Sequence, residues 1–462
     1  MYISKKISIV IGLFIVSLLA LPIIGNKVIE DDIQNRVASL GQYGIDISKN
    51  TKHSSYLSTS RHFEFLLKDT QKFVNYLNKY SDKQMPSYVD VLMDGVVVGT
   101  DVSYSNIPFS DDIVVDIYPL KLPKDMVEEL QKEDKDFYTY LDKFLKTKGL
   151  LYRINYDLIT KKFNGYLKDI DESYTFKNQT NIKIVVKDGK FDGKGSLIAP
   201  QRVATDIKYM KLKASKGSES LYFDIKGLTT SSNFNAKNTY LTGMSFKDLN
   251  LSVKQEMEKS GIYMQGMKFN GSSISLDKTA EMSSKVSLAS LRLKSKMIDT
   301  QIKDFNSILD ISSLDKISFE RFSKLLSLSK TDDSFMMKKM LNDALIDLIS
   351  KGLDIKIVDF SAKHIYLDDL QKDYHGFRMS SDIAILADNS LATKVSLSPL
   401  LALQDIDIVT KMVFSKTLYE KLLESNRGLL NLDRFANTIN DEVVFDILFS
   451  KGSITVNGKS IN

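Results

Sequence analysis

The sequence predicts an α+β protein: an N-terminal transmembrane helix followed by a strand-rich body in which a long antiparallel meander packs with a few amphipathic helices. Three observations predict it. The run Ile7 to Gly25 carries no charge, apolar residues recur at every second position between Leu151 and Ser295, and a helical period returns between Ile317 and Lys351.

At 1.5 Å of rise per residue the first run spans about 28 Å as a helix, near the thickness of a bilayer's hydrocarbon core. Lys5 and Lys6 precede it, whereas Glu30, Asp31 and Asp32 follow Lys27 on the other side. Positive flanks stay in the cytoplasm, so residues 1–6 are expected inside and everything after Asn26 outside. The competing reading is a cleaved secretory signal. The run is long for a signal's apolar core, and the small-x-small pattern is poor, with Leu18 before Ala20 and Ile23 before Gly25. Both features favour an uncleaved anchor.

Composition narrows the chemistry. The 462 residues are 43% hydrophobic and 10% aromatic, enough for a large core in one to three domains. The absence of cysteine removes disulfides, thiolate chemistry, Cys-type metal sites and lipoprotein acylation. A net charge of +5, from 63 basic and 58 acidic residues, gives no nucleic-acid footprint. The four histidines, His53, His62, His364 and His375, lack the spacing of a zinc hydrolase and read as surface or partly buried rings.

In order along the chain, residues 26–150 read as a membrane-proximal mixed region. Val28, Ile29, Ile33, Val37 and Leu40 continue the anchor as a helical stalk, and the serine-rich stretch from His53 to His62 reads as an extended edge segment opening the first strand. Asp69 to Asp82 is an amphipathic helix ending before Pro86, and Asp94-Gly95 joins two strands in a hairpin between Tyr88 and Val98. Ile113 to Tyr118 is a strand. Pro123 then starts one helix that runs through Leu145 to Gly149.

Residues 151–300 form the meander, with bursts such as Leu221, Phe223, Ile225 and Leu249, Leu251, Val253. A change of phase from Ile207 and Tyr209 to Met210 and Leu212 predicts a bulge. Residues 301–462 hold a helix pair and a strand-helix region. Phe319, Phe322, Leu325 and Leu326 make one stripe. Met337, Met340, Leu341, Ala344, Leu345 and Leu348 make the second, capped by Thr331 or Asp333 before it and Gly352 after. Both stripes are expected on the sheet, with Leu345 central and the Met336, Met337 and Met340 group in the core. Strands follow at Leu353–Phe360, Ala362–Leu367, Phe377–Leu386, Ala392–Leu397 and Ile408–Phe414. Helices are expected at Leu418–Leu430 and Val443–Phe449, and a closing strand with an Asn-Gly turn at Ser453–Ile461.

No catalytic, cofactor-binding or metal residues are assigned, and no cofactor is expected. Asp188 to Ser196 has the wrong glycine spacing for a phosphate loop and reads as a hairpin turn. Ser327-Leu-Ser-Lys330 and Ser313-Leu-Asp-Lys316 match a Ser-x-x-Lys pattern but lack the Ser-Asp-Asn and Lys-Thr-Gly partners of penicillin-recognising enzymes.

The N-terminal anchor, the Gly25-x4-Glu30 exit, the segment Ser54-Ser-Tyr-Leu-Ser-Thr59, the helix pair before Gly352 and the closing Ile454-Thr-Val-Asn-Gly-Lys459 together resemble the YdgA/YihF-type proteins of bacterial envelopes. The usual aromatic-rich form of the serine segment departs here, because the chain has no tryptophan. The resemblance implies an inner-membrane protein with a periplasmic body. The expected role is non-enzymatic: a body that presents an interaction surface to envelope proteins, or binds a hydrophobic ligand such as lipid. The alternative is a serine-dependent envelope hydrolase. Two helices of roughly 15 to 18 residues cover at most about 25 Å each. The strands from Leu151 through Leu397 offer more apolar face than that, which either closes as a sandwich or leaves a groove.

Overall fold

The computed structural model describes residues 40–55, 58–80, 93–105, 112–195, 200–236, 239–255, 258–328, 334–367, 372–425 and 433–461. The expected anchor at Ile7–Gly25 and nearly all of the stalk lie outside these residues, and no helix among the described residues is long and apolar enough to cross a membrane. The chain divides into two compact units, one ending at Tyr222 and the other starting at Phe223.

The first unit contains β1 (Ile45–Ser54), β2 (Ser58–Leu67), α1 (Thr70–Tyr80), β3 (Val97–Ser105), β4 (Asp112–Lys121), α2 (Lys124–Glu133), α3 (Lys135–Lys146), β5 (Tyr152–Asp157), β6 (Lys162–Leu167), β7 (Ile170–Thr175), β8 (Asn181–Gly195) and β9 (Pro200–Lys216). Strands β1 to β6 pair in sequence as an antiparallel meander, and β8 then pairs in turn with β7 and β6 on one side and with β9 on the other. The serine-rich segment is therefore the tip of the β1–β2 hairpin, not the opening of the first strand. Met93 is helical and Asp94–Gly95 a turn with Gly95 at φ +73°; the first arm of the hairpin expected there, from Tyr88 to residue 92, lies outside the described residues. The single helix expected from Pro123 is broken at Asp134. That residue is extended, with φ −155°, and its carboxylate accepts the Phe137 N–H at 3.0 Å, which caps a new helix.

Strand β10 (Glu219–Ala236) carries the chain across the unit boundary. The second unit continues with β11 (Thr239–Gln255), β12 (Glu258–Ser275), β13 (Thr279–Lys294), β14 (Asp299–Asp315), α4 (Lys316–Leu328), α5 (Phe335–Ser350), β15 (Leu353–Ala362), β16 (His364–Tyr366), β17 (Phe377–Ile385), α6 (Leu391–Leu397), α7 (Pro399–Ala402), β18 (Ile406–Ser415), α8 (Lys416–Ser425), β19 (Asn437–Ile439), β20 (Glu442–Ser450), β21 (Ser453–Val456) and β22 (Lys459–Ile461). The strands from β11 to β15 pair in sequence and antiparallel, as the alternation predicts.

The long strands switch phase in their middles. In β11 the apolar set is Met244 and Phe246, then Leu249, Leu251 and Val253; in β12 it is Ile262 and Met264, then Met267 and Phe269. Uninterrupted alternation would place the two halves on opposite faces. Register is unbroken through the switch, running from Phe246↔Met267 to Asp248↔Gln265, so no residue is inserted. What marks the switch is a left-handed residue on alternate strands: Gly227 (φ 61°), Gly266 (φ 63°) and Asp304 (φ 52°). In β14, Ile302 and Phe305 stand either side of Asp304 at a spacing that alternation would split, yet both pack on the cluster of Ala362, Ile365, Tyr374 and Leu418. The left-handed residue keeps the apolar set on one face. The phase change at Ile207 to Leu212 has the same cause. Asp188, at φ 51°, lies opposite this point in β8, and the β8–β9 register shifts only at Lys194/Gly195. Asp188 to Gly195 is thus strand, not hairpin turn.

The helix pair packs as expected on the sheet but with a different face. Leu348 and Ala344 are buried, and Leu348 joins Ala280, Leu314 and Leu353 in a core that Phe319 and Phe322 of α4 also cover. Leu345 is 38% exposed, and Met336 and Met340 are exposed as well, which overturns their assignment to the core; Phe335 beside them is exposed too. The cap of α5 is Ser334, whose hydroxyl accepts the Met337 N–H; Thr331 and Asp333 lie outside the described residues. Two further expectations are corrected. Residues 392–397 are helical in α6, and Val443–Phe449 lies in the strand β20, where alternation is lost because Val443, Val444 and Phe445 are all buried. The chain closes on the expected Asn457–Gly458 turn, both residues left-handed, between β21 and β22.

Leu348→Ala should destabilise the protein by about 2–5 kcal/mol, the range for a truncated buried leucine, and Leu345→Ala by under about 0.5 kcal/mol, as at surface sites. Urea unfolding of both variants checks the assignment of faces.

Candidate apolar site and the histidine clusters

An open apolar face lies in the second unit. Because the phase switch holds one face apolar, cross-strand partners form rows: Leu251–Ile262–Leu293 and Leu249–Met264–Leu291–Ile302. Leu251 and Leu293 remain 37% and 40% exposed. Leu251, Val253, Ile262, Leu293 and Ile298 line a shallow depression of about 360 Å3. The opposite face is polar and laced by hydrogen bonds, from Gln265 to Asp248, Gln301 to Ser290 and a bidentate Arg292 to Asp299.

Lys294 lines the depression. Lys254 and Lys259 face each other in register near the end of the β11–β12 hairpin, one position out of phase with Val253 and Ser260 and therefore on the opposite face. Like charges directly opposite are unfavourable by a few tenths of a kcal/mol, up to about 1. Lys259 also lies 5.6 Å from the centre of the Tyr263 ring.

The first unit holds a smaller pocket of about 110 Å3 under α3, walled by Phe137, Tyr140, Leu141, Tyr174 and Ile184. Its polar group is Glu172, which accepts a hydrogen bond from the Tyr140 hydroxyl. Burial first, and then that carboxylate, push the Tyr140 phenol up.

His62 sits between two carboxylates: Nδ1 is 2.7 Å from Asp101 and Nε2 3.3 Å from Glu64. Tyr118 donates to Asp101 at 3.0 Å and Lys148 at 2.5 Å. The arrangement bears on the serine reading, since the Ser54–Thr59 tip lies on the same hairpin. With both ring nitrogens against carboxylates, His62 has none left to take a serine proton. Of the two Ser-x-x-Lys matches, Ser313 donates to Asp354 while Lys316 reaches the Leu276 carbonyl; Lys330 lies outside the described residues. His53 is exposed on β1, and His364 and His375 both approach Asp373.

Comparison with family models, with curated proteins and with solved structures finds no match. The likeness to YdgA/YihF-type proteins therefore rests on the sequence features alone.

Burial raises the Asp101 carboxyl, but hydrogen bonds from Lys148 and His62 and the Lys148 charge outweigh it and hold the group below its ordinary value. A depressed folded value contributes stability above the unfolded value, about 3.9, that disappears as pH falls through the lower folded one. The urea midpoint should fall between about pH 5 and pH 2, and Asp101→Asn should flatten that fall. An unchanged acid limb in the variant would remove this role from Asp101.

Proposed function

We propose that the chain is a membrane-tethered, non-enzymatic body that holds the acyl chain of an anionic amphiphile on the open sheet face of its second unit. The observation that carries the reading is the exposed row Leu251–Ile262–Leu293 beside Lys294. The apolar floor and the Lys294 ammonium match the two ends of such a molecule. Magnitudes assign their roles. Each methylene removed from water contributes about 0.8 kcal/mol, so roughly eight covered methylenes contribute about 6 kcal/mol. A single exposed lysine–anion pair is worth at most about 1 kcal/mol. The floor supplies affinity and Lys294 orients the headgroup.

The tether rests on the uncharged run Ile7–Gly25 and on Lys5 and Lys6 before it, which support a body outside the cytoplasm; the resemblance to YdgA/YihF-type proteins makes that side the periplasm of a bacterial envelope. A site beside a membrane meets lipid at high local concentration. The serine-hydrolase alternative is disfavoured by His62, whose ring nitrogens are both taken up.

A photo-crosslinkable long-chain fatty acid, added to the full chain and mapped by peptide mass spectrometry, should label residues 249–264 and 286–298. Leu251→Asp combined with Ile262→Asp should lower that labelling at least tenfold. Labelling confined to residues 7–25, or unaffected by the double variant, would contradict the reading; saturable capture of an envelope protein on the same rows would replace lipid by a protein partner.

A further inference from the structure

We infer that His364, Asp373 and His375 form a binding site for one divalent transition-metal ion of the zinc class, with a coordination position left open. The inference is independent of the acyl-chain reading. The three side chains each offer a ligand atom, and these atoms lie within 4.8 Å of one another. Two imidazoles and a carboxylate are the donor set that first-row divalent ions take, and three protein ligands leave room for water or an exogenous ligand.

The backbone builds the site. Ile365 and Tyr374 are buried, and the Tyr374 N–H donates to the Ile365 carbonyl at 2.9 Å. On β16 His364 alternates away from the side that buries Ile365, and Asp373 and His375, on either side of buried Tyr374, meet it there. The Tyr374 carbonyl accepts from Ser415 and Thr417 at 2.6 and 2.8 Å, and Gly376 packs so closely on Ala362 that a Cβ would fall 1.7 Å from its carbonyl oxygen. Little of this segment is free to move, which is the preorganisation a metal site needs.

A simple histidine–aspartate contact accounts for only part of the cluster. His364 Nδ1 lies 2.6 Å from the Asp373 carboxylate, a complete hydrogen bond. The same oxygen is 3.8 Å from His375 Nδ1, beyond hydrogen-bond range. His375 is also held left-handed at φ 56°, a conformation that a non-glycine residue adopts at a cost of about 1–2 kcal/mol. Its ring is largely exposed and free to swing, and bonds of about 2.0–2.1 Å draw two nitrogen ligands to within about 4 Å of each other. The nearby cation Lys372 is held over the Tyr374 ring, 4.8 Å from its centre.

The test is zinc titration of the full chain by calorimetry, with zinc chloride as the probe. One saturable equivalent is expected, and His364→Ala, Asp373→Asn and His375→Ala should each weaken it at least tenfold, while His53→Ala leaves it unchanged. A wild-type measurement stands beside the variants: with histidine labelled by nitrogen-15, zinc should move the resonances of His364 and His375 and spare those of His53 and His62. Absence of saturable binding, binding indifferent to all three substitutions, or equal shifts at all four histidines would overturn the site.

Discussion

A strand of sixteen or more residues cannot keep one face apolar by alternation alone once its pattern slips by a single position, and here the pattern slips in the middle of every strand from β11 to β14. The left-handed residues Gly266 and Asp304 reconcile the two halves. Gly266 is suited to its place because a Cβ there would lie 2.9 Å from the Cβ of Ala289 on the neighbouring strand. Asp304 shows that a short polar side chain can take the same role, as aspartate tolerates the left-handed region better than most residues. The continuity of the apolar face across β11 to β14 depends on the device. Ile302 and Phe305 reach the same cluster because of it, and the Leu251 and Leu249 rows lie on the side that Phe246 and Met244 also occupy.

Coverage of that face is uneven. Near the β13–β14 hairpin, α4 and α5 bury Ala280, Leu314 and Leu353, and the bulge at Ser313 (φ 60°) brings Ile311 and Leu314 into one cluster. On the far side of the phase switch no such helix lies on Leu251 or Leu293 among the described residues, and their exposure is the physical basis of the proposed site. The polar face has the opposite character. Its Arg292–Asp299 fork and Gln–Asp and Gln–Ser bonds tie strands together through polar contacts.

Much of the body was legible because period two is a direct consequence of the pleat. The strands around Leu221–Ile225, Leu249–Val253 and Leu353–Phe360 follow from it, while the helix pair follows from the 3.6-residue period and the Asn457–Gly458 turn from its dipeptide. The misreadings have identifiable causes. Val443–Phe449 looks helical because a strand buried on both faces loses alternation. Asp188–Gly195 looks like a turn because Gly193 is there to receive the Phe163 ring, whose Cζ would lie 2.1 Å from a Cβ. Leu345 looks central because the stripe was drawn one position too wide, whereas the sheet touches Ala344 and Leu348. The histidine cluster left no local signal. His364 and Asp373 meet only because Tyr374 returns to pair with Ile365, and Asp373-x-His375 is too short a motif to stand out. The anchor is a reading of residues 1–26 alone.

The central claim is that one apolar face runs through the phase switch and is open to an acyl chain. The chain has no cysteine, so single cysteines placed in turn at residues 244 to 253 would report on it by maleimide labelling with and without lipid vesicles. Protection by lipid at 244, 246, 249, 251 and 253 is the predicted result. Uninterrupted alternation through 244, 246, 248, 250 and 252, or no protection at any position, would contradict it.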